Sequence, residues 1–202
     1  MIVNGYTIEP YANLAGANFR DADLRNADLI RANLTGADLS RANLVGADLT
    51  GADLTSAVLG GAGYWVRPGT AELVMDRTNL RRTILTEAIL IDADLSFAYM
   101  LAASLNGADM TRANLTSAYM SRVNLTSAIL NKANLTEAYL QFANLTNADL
   151  TNAILIRAYL AGSNTRFTDF SNADTTDAKW DDEDEDEEFW IKLREKYSPK
   201  MD

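Results

Sequence analysis

A large apolar residue recurs at every fifth position through most of the chain. It stands at Leu14, Phe19, Leu24 and Leu29 and so on to Leu59, then at Leu80, Leu85, Leu90, Leu95 and Met100 and so on to Leu160. Two positions before it stands alanine, as at Ala22, Ala47, Ala113 and Ala148; Thr78, Thr83, Val123, Ser163 and Thr168 are exceptions. Between the two lies Asn or Asp in most repeats. A period of five matches neither a helix, at 3.6, nor a plain strand, at 2.0. A helix would spread the leucines around its circumference, and a strand would send successive ones to opposite faces. A coil that turns a corner every five residues points all of them inward. The alanine then lies inside near a corner, where only a small side chain fits. The Asn or Asp faces outward or bonds the turn backbone.

A second spacing counts the sides. Just before the large apolar residue, tyrosine occurs at Tyr99, Tyr119, Tyr139 and Tyr159, twenty residues apart. Twenty is four repeats, so a four-sided coil stacks these tyrosines at about the 4.8 Å spacing of adjacent strands.

The pattern predicts five segments: an amino-terminal cap over 1–11, a first repeat run over 12–64, an inserted loop over 65–74, a second run over 75–180, and an acidic segment with a helix over 181–202. The apolar position shifts phase between the runs, because Leu59 and Leu80 are 21 residues apart. The intervening Gly60-Gly61-Ala62-Gly63 and Pro68-Gly69 are loop punctuation. Tyr64, Trp65 and Val66 are apolar for such a place. They either tuck against the coil or project from it to meet a partner. Asn4-Gly5 favours a tight hairpin turn, suited to covering the first coil. Near the other end, Phe189, Trp190, Leu193 and Tyr197 share one face at helical spacing, which predicts a helix that caps the last coil or pairs two copies.

Tandem A(D/N)LXX, as in Ala22-Asp23-Leu24 and Ala113-Asn114-Leu115, resembles the pentapeptide-repeat family over about residues 12–64 and 75–180. The resemblance implies an all-β fold, a right-handed quadrilateral β-helix, here with an inserted loop and a C-terminal helix cap. The lead Gly5-Tyr6-Thr7-Ile8-Glu9-Pro10 is similar to that of cyanobacterial members. Certain members bind gyrase as mimics of DNA and dimerise through carboxy-terminal helices, so gyrase and a homodimer are implied partners.

Composition narrows the chemistry. The chain has neither cysteine nor histidine, which removes thiolate sites, disulfides and imidazole bases. One Gly-Gly-x-Gly without a following Lys-Ser/Thr is no phosphate cradle, and without repetition it is no calcium β-helix. Carboxylates fall at repeat positions, so repetition explains them without catalysis. The expectation is a protein without enzymatic activity, cofactor or metal. The amino terminus shows no signal-peptide pattern and no segment reaches the roughly 18 apolar residues of a membrane span, so the cytoplasm is the expected location. The formal charge of −10 is concentrated in residues 181–188, which are all acidic. The repeat body, with 17 acidic and 14 basic residues over 12–179, is read as near neutral with both signs mixed. That balance opposes DNA mimicry, and the absence of a basic stripe opposes nucleic-acid binding.

The expected function is a protein-interaction scaffold. Its candidate contact residues are Tyr99, Tyr119, Tyr139 and Tyr159 with the outward Phe97, Leu101 and Phe142, and Tyr64 and Trp65 on the insertion. The competing readings are a ladder that only stiffens the rod by stacking, a gyrase-directed DNA mimic, and a self-associating structural rod.

Overall fold

A computed structural model of the chain describes residues 1–60 and 77–180, together with the backbone of Tyr64–Val66 and Leu73–Met75. The repeats wind into a tube of four parallel ladders. Each rung is a single bridge between residues one coil apart, twenty positions in sequence, as in Asn13 with Asn33 and Tyr99 with Tyr119. Leucine, phenylalanine and methionine at the large inward position are shielded from solvent along the tube, and so is alanine at the small one. Burying each leucine contributes about 1.5–3 kcal/mol of transfer free energy.

The repeat around Leu115 shows why five residues suffice for one side. Ala113 N–H donates to Met110 O at 3.0 Å, closing the corner. Asn114 N–H donates to Ala93 O of the preceding coil, and Leu115 and Ser117 N–H donate to Asn134 O and Thr136 O of the next. The remaining amide, Thr116 N–H, donates to the Asn114 side chain at 3.2 Å. All five N–H groups are satisfied, as a chain packed on itself requires. Asn or Asp precedes the leucine because its short side-chain oxygen reaches the one amide the ladders leave over.

The corner residue two places after each leucine has positive φ, 53° at Ser117 and 58° at Phe142. Positive φ there alone, with the closing bond, makes a type II turn. A side chain in this region costs on the order of 1 kcal/mol. The amide it directs into the next coil offsets that cost, so glycine is optional at the corner. The small position tolerates threonine where its hydroxyl has an acceptor: Thr78 Oγ1 donates to Leu39 O at 3.0 Å and Thr83 Oγ1 to Leu44 O at 2.8 Å.

At one place the winding lengthens. Asn43 pairs with Asn79, Asp48 with Ile84, Asp53 with Ile89 and Val58 with Asp94, thirty-six residues apart instead of twenty. Sixteen is three repeats and one residue, which accounts for the phase shift. The expansion leaves one corner after Leu59 and returns at Arg77. Within it β3 (Tyr64–Val66) pairs antiparallel with β4 (Leu73–Met75), bringing Trp65 opposite Val74.

At the amino terminus β1 (Ile2–Val3) pairs with β2 (Tyr6–Thr7) around Asn4 and Gly5, both at positive φ. This is the geometry of a type I′ hairpin. Tyr6 packs on Phe19 with ring centres 5.2 Å apart, Ile8 is buried, and Asn4 Nδ2 donates to Asn18 O. In the last coil the large position is occupied by Thr165, Phe170, Thr175 and Trp180 in turn. Phe170 and Trp180, from opposite sides of the tube, meet edge to face at 5.7 Å. Among the described residues there is no helix; the helix expected within 181–202 lies outside them.

Candidate functional site

The four sides differ in chemistry. One side carries Asp23, Asn43, Asn79, Tyr99, Tyr119, Tyr139, Tyr159 and Lys179 in a single ladder. Along this tyrosine face, Tyr99 meets Tyr119 edge-on at 6.2 Å, Tyr119 stacks on Tyr139 at 4.7 Å, and Tyr139 on Tyr159 at 4.8 Å with planes 8° apart. Cations bracket the column. The Arg77 guanidinium lies 4.3 Å from the Tyr99 ring centre and 4.6 Å from that of Tyr119, and Lys179 Nζ lies 5.2 Å from Tyr159. Such contacts are attractive through the negative ring face.

The flanking corners hold the other apolar candidates. Phe97 lies on the corner that enters the tyrosine face and Leu101 on the corner that leaves it; both are half-buried. Phe142, on the leaving corner, is 55% exposed. The structure therefore gathers Phe97, Leu101, Phe142 and the four tyrosines onto one side. Tyr64 and Trp65 lie in β3, whose paired backbone is described but whose side chains fall outside the described residues. The expansion springs from the corner entering this face, and Arg77, its first described residue afterwards, lies over Tyr99. Phe189, Trp190, Leu193 and Tyr197 also lie outside the described residues.

In the described part of the second run the carboxylates keep to particular sides, whereas in the first run Asp23 stands on the ladder that becomes the tyrosine column and Asp28 and Asp48 on the next one. From Arg77 to Trp180 the carboxylates are Glu87, Asp92, Asp94, Asp109, Glu137, Asp149, Asp169, Asp174 and Asp177. None falls on the tyrosine face, on the corner leaving it, or on the next face, which carries Ile84, Ser104, Asn124, Asn144 and Asn164. That same half presents Arg81, Arg82 and Arg122 on the shared corner, with Arg166 at its far edge. The two acidic faces carry Asp109, Asp149 and Asp169 in one ladder and Asp94 and Asp174 in the other, interleaved with Ile89, Ile129 and Ile154. Linear sequence hid the sorting because side is set by position modulo twenty, which intermixes the faces along the chain.

Ion pairs run between coils at the other corners, Asp92 with Arg112 and Glu137 with Arg157, both at 2.6 Å. In the first run Arg25 binds Asp23 through two nitrogens, and Arg41 pairs with Asp21. The Asp23 carboxyl is held down to about 2, first by the Arg25 side chain and then by the Arg25 amide. The shallow depression lined by Asn4, Tyr6, Asn18, Arg20 and Asp21 is built from groups already engaged in the cap. Among the described residues no group of three His, Cys, Asp or Glu is arranged to hold a metal, and no helix is long and apolar enough to cross a membrane.

The sequence profile described as Pentapeptide repeats matches in eight copies over residues 11–41, 32–62, 74–100, 93–131 and 118–155. The chain belongs to the pentapeptide-repeat family. Among solved structures it is similar to HetL of Nostoc sp. Strain PCC 7120, a pentapeptide repeat protein involved in heterocyst differentiation regulation, at 27% identity over 87% of this chain and 88% of that one, with a TM-score of 0.45. It is similar to Rfr23 of Cyanothece 51142 at 29% identity, over 69% of this chain and 91% of that one, with a TM-score of 0.30. Trypsin-treated QnrB1, a plasmid-mediated fluoroquinolone resistance protein, is 18% identical over 88% of this chain and 84% of that one, with a TM-score of 0.33. Among curated proteins no significant match to the chain is found.

Within a pentapeptide-repeat coil, the tyrosines occupy the position that caps the turn. On this face Asp23, Asn43 and Asn79 each accept the amide two residues on, from Arg25, Val45 and Arg81. A tyrosine carries its oxygen at the far end of the ring and cannot make that bond. Four successive rungs give up a local hydrogen bond worth about 0.5–1.5 kcal/mol each and gain stacked, half-buried rings instead. Sequence reasoning missed Lys179 as the next rung below Tyr159, although the spacing of twenty already named it. It also missed Arg77, which only the re-entry point of the expansion brings over the rings.

Proposed function

We propose that this pentapeptide-repeat protein is a non-catalytic protein-binding scaffold, and that its contact surface is the tyrosine face with the corner that leaves it. The observation that supports this reading is the run Tyr99, Tyr119, Tyr139 and Tyr159 at the turn-capping position, stacked in one column between Arg77 and Lys179. Rigid aromatic rings supply large contact area at small entropic cost, and tyrosine and arginine are enriched where binding energy concentrates. A rod stiffened by its ladders holds them ready, so little is lost on ordering them. Phe142 and Leu101 extend the surface around the corner.

The test is capture with two baits, the wild-type chain and Tyr119→Asn/Tyr139→Asn, followed by binding measurements with each purified candidate. Asparagine restores the turn cap, so the coil is retained. A partner that binds wild type and is weakened more than roughly tenfold by the double change supports the surface. Equal binding of both baits by every captured protein removes it.

A DNA-mimicking, gyrase-directed role draws on the two acidic faces. There the aspartates are interrupted by Ile89, Ile129 and Ile154 and flanked by Arg112, Lys132 and Arg157. Duplex DNA is charged about every 1.7 Å, far denser than these ladders. Gyrase supercoiling unchanged by micromolar protein excludes that role.

A further inference from the structure

Among the described residues of the second run, the half without carboxylates is cationic on a chain of net charge −10. Arg81, Arg82 and Arg122 stand there, apart from the ion pairs Arg20–Asp38, Arg25–Asp23, Arg41–Asp21, Arg112–Asp92 and Arg157–Glu137; Arg166 shares the bounding corner with Glu87. Lys179 closes the tyrosine column at its foot. Lys179 and Trp180 are the last described residues, and Lys179 is the foot of the tyrosine ladder, so residue 181 is tethered there by a single intervening residue. The next eight residues, 181–188, are all Asp or Glu.

We infer that residues 181–188 dock along the tyrosine face and the Arg81–Arg82–Arg122 corner, as an intramolecular occupant that a protein partner must displace. Three observations carry this. Charge is complementary, with eight carboxylates against a strip that carries none among the described residues from Arg77 to Trp180. Reach is sufficient: from Lys179 to Asn79 is five rungs, about 24 Å at the spacing of adjacent strands, and eight extended residues span about 26 Å. Attachment is at the strip's own edge, so the segment meets it at an effective concentration on the order of millimolar. The opposite half repels the segment, because Asp109, Asp149, Asp169, Asp94 and Asp174 lie there. Each exposed pair is weak, so the docked state exchanges readily and depends on ionic strength. The inference rests on the proposed contact surface only for its meaning to partners; docking itself involves one molecule.

The test uses the full chain. It has no cysteine, so Ser198→Cys takes a single nitroxide label. Paramagnetic broadening of amide resonances is then read on all four faces. Docking predicts broadening at Tyr119, Tyr139, Tyr159 and Arg122 above that at Asp109, Ile129 and Asp149. The contrast falls in about 0.5 M salt, where the screening length is about 4 Å, and disappears when 181–188 are changed to Asn and Gln. Equal broadening on all faces, stronger broadening on the acidic faces, or a tyrosine-face pattern indifferent to both salt and neutralisation overturns the inference. No partner is present, so failure here is distinct from failure of partner capture.

Discussion

The ring of Phe142 lies across Gly162, one coil further along the same corner. A Cβ at position 162 would sit 2.7 Å from two carbons of that ring. An exposed aromatic is thus seated on a groove that glycine leaves open, and Arg122 lies 5.8 Å from its centre on the other side.

Gly162→Ala is expected to displace the ring and to add the strain of a side chain at φ 64°. Gly107→Ala is the matched control, since φ is 67° there and the nearest atom, on Glu87, is 3.5 Å away. Both cost about 1 kcal/mol for the backbone. Urea denaturation should show the Gly162 variant less stable than the control, by up to about 1 kcal/mol. Equal midpoints would mean that the ring moves aside freely.

Replacing Tyr139 by Asn removes two stacked contacts, at 4.7 and 4.8 Å, and restores a turn cap. Stacking contributes about 0.5–1.5 kcal/mol per pair and the cap about 1 kcal/mol. The net change in stability is therefore expected to stay within about 2 kcal/mol, while partner binding falls at least roughly tenfold. Loss of stability without loss of binding would make the ladder a stiffening device.

Acid should weaken the fold in a defined window. Asp23 has its carboxyl held down to about 2 by Arg25, and Asp21 and Asp92 are lowered by hydrogen bonds from Arg41 and Arg112. An unfolded aspartate titrates near 3.9. The folded state therefore binds fewer protons, and these pairs contribute fully above about pH 4 and lose their contribution as pH falls toward 2. The urea midpoint should be level from pH 7 to 5 and decline below 4, with a shallower decline in Asp23→Asn. All three carboxylates are exposed, so salt should reduce the effect.

In the last described coil Phe170 packs against Trp180. In a rod where each coil rests on its neighbours, damage at an end frays only the end. Trp180→Ala should speed amide exchange of Leu155 and Leu160, which donate to Asp174 O and Lys179 O, by roughly tenfold or more. Leu90 and Leu95 should keep their protection. Uniform loss along the rod would contradict one-dimensional stability.

The period of five and the twenty-residue spacing of the tyrosines were enough to derive a four-sided coil, its inward Leu and Ala, and the stacking of Tyr119 on Tyr139, because each follows from which positions repeat. Steric logic at the corner also explained why alanine sits there. Tertiary structure alone decided three things. It decided which corner the sixteen extra residues leave, and so that Arg77 returns over Tyr99. It decided that Phe170 and Trp180 meet across the bore, a contact obscured in sequence by Thr165 and Thr175. It decided that Asp109 and Asp149 share no side with Arg81, Arg82 and Arg122. The reason is common to all three: a coil projects residues twenty apart onto one line and separates those five apart by a right-angled corner, so neighbours in space are assigned by winding and not by adjacency along the chain.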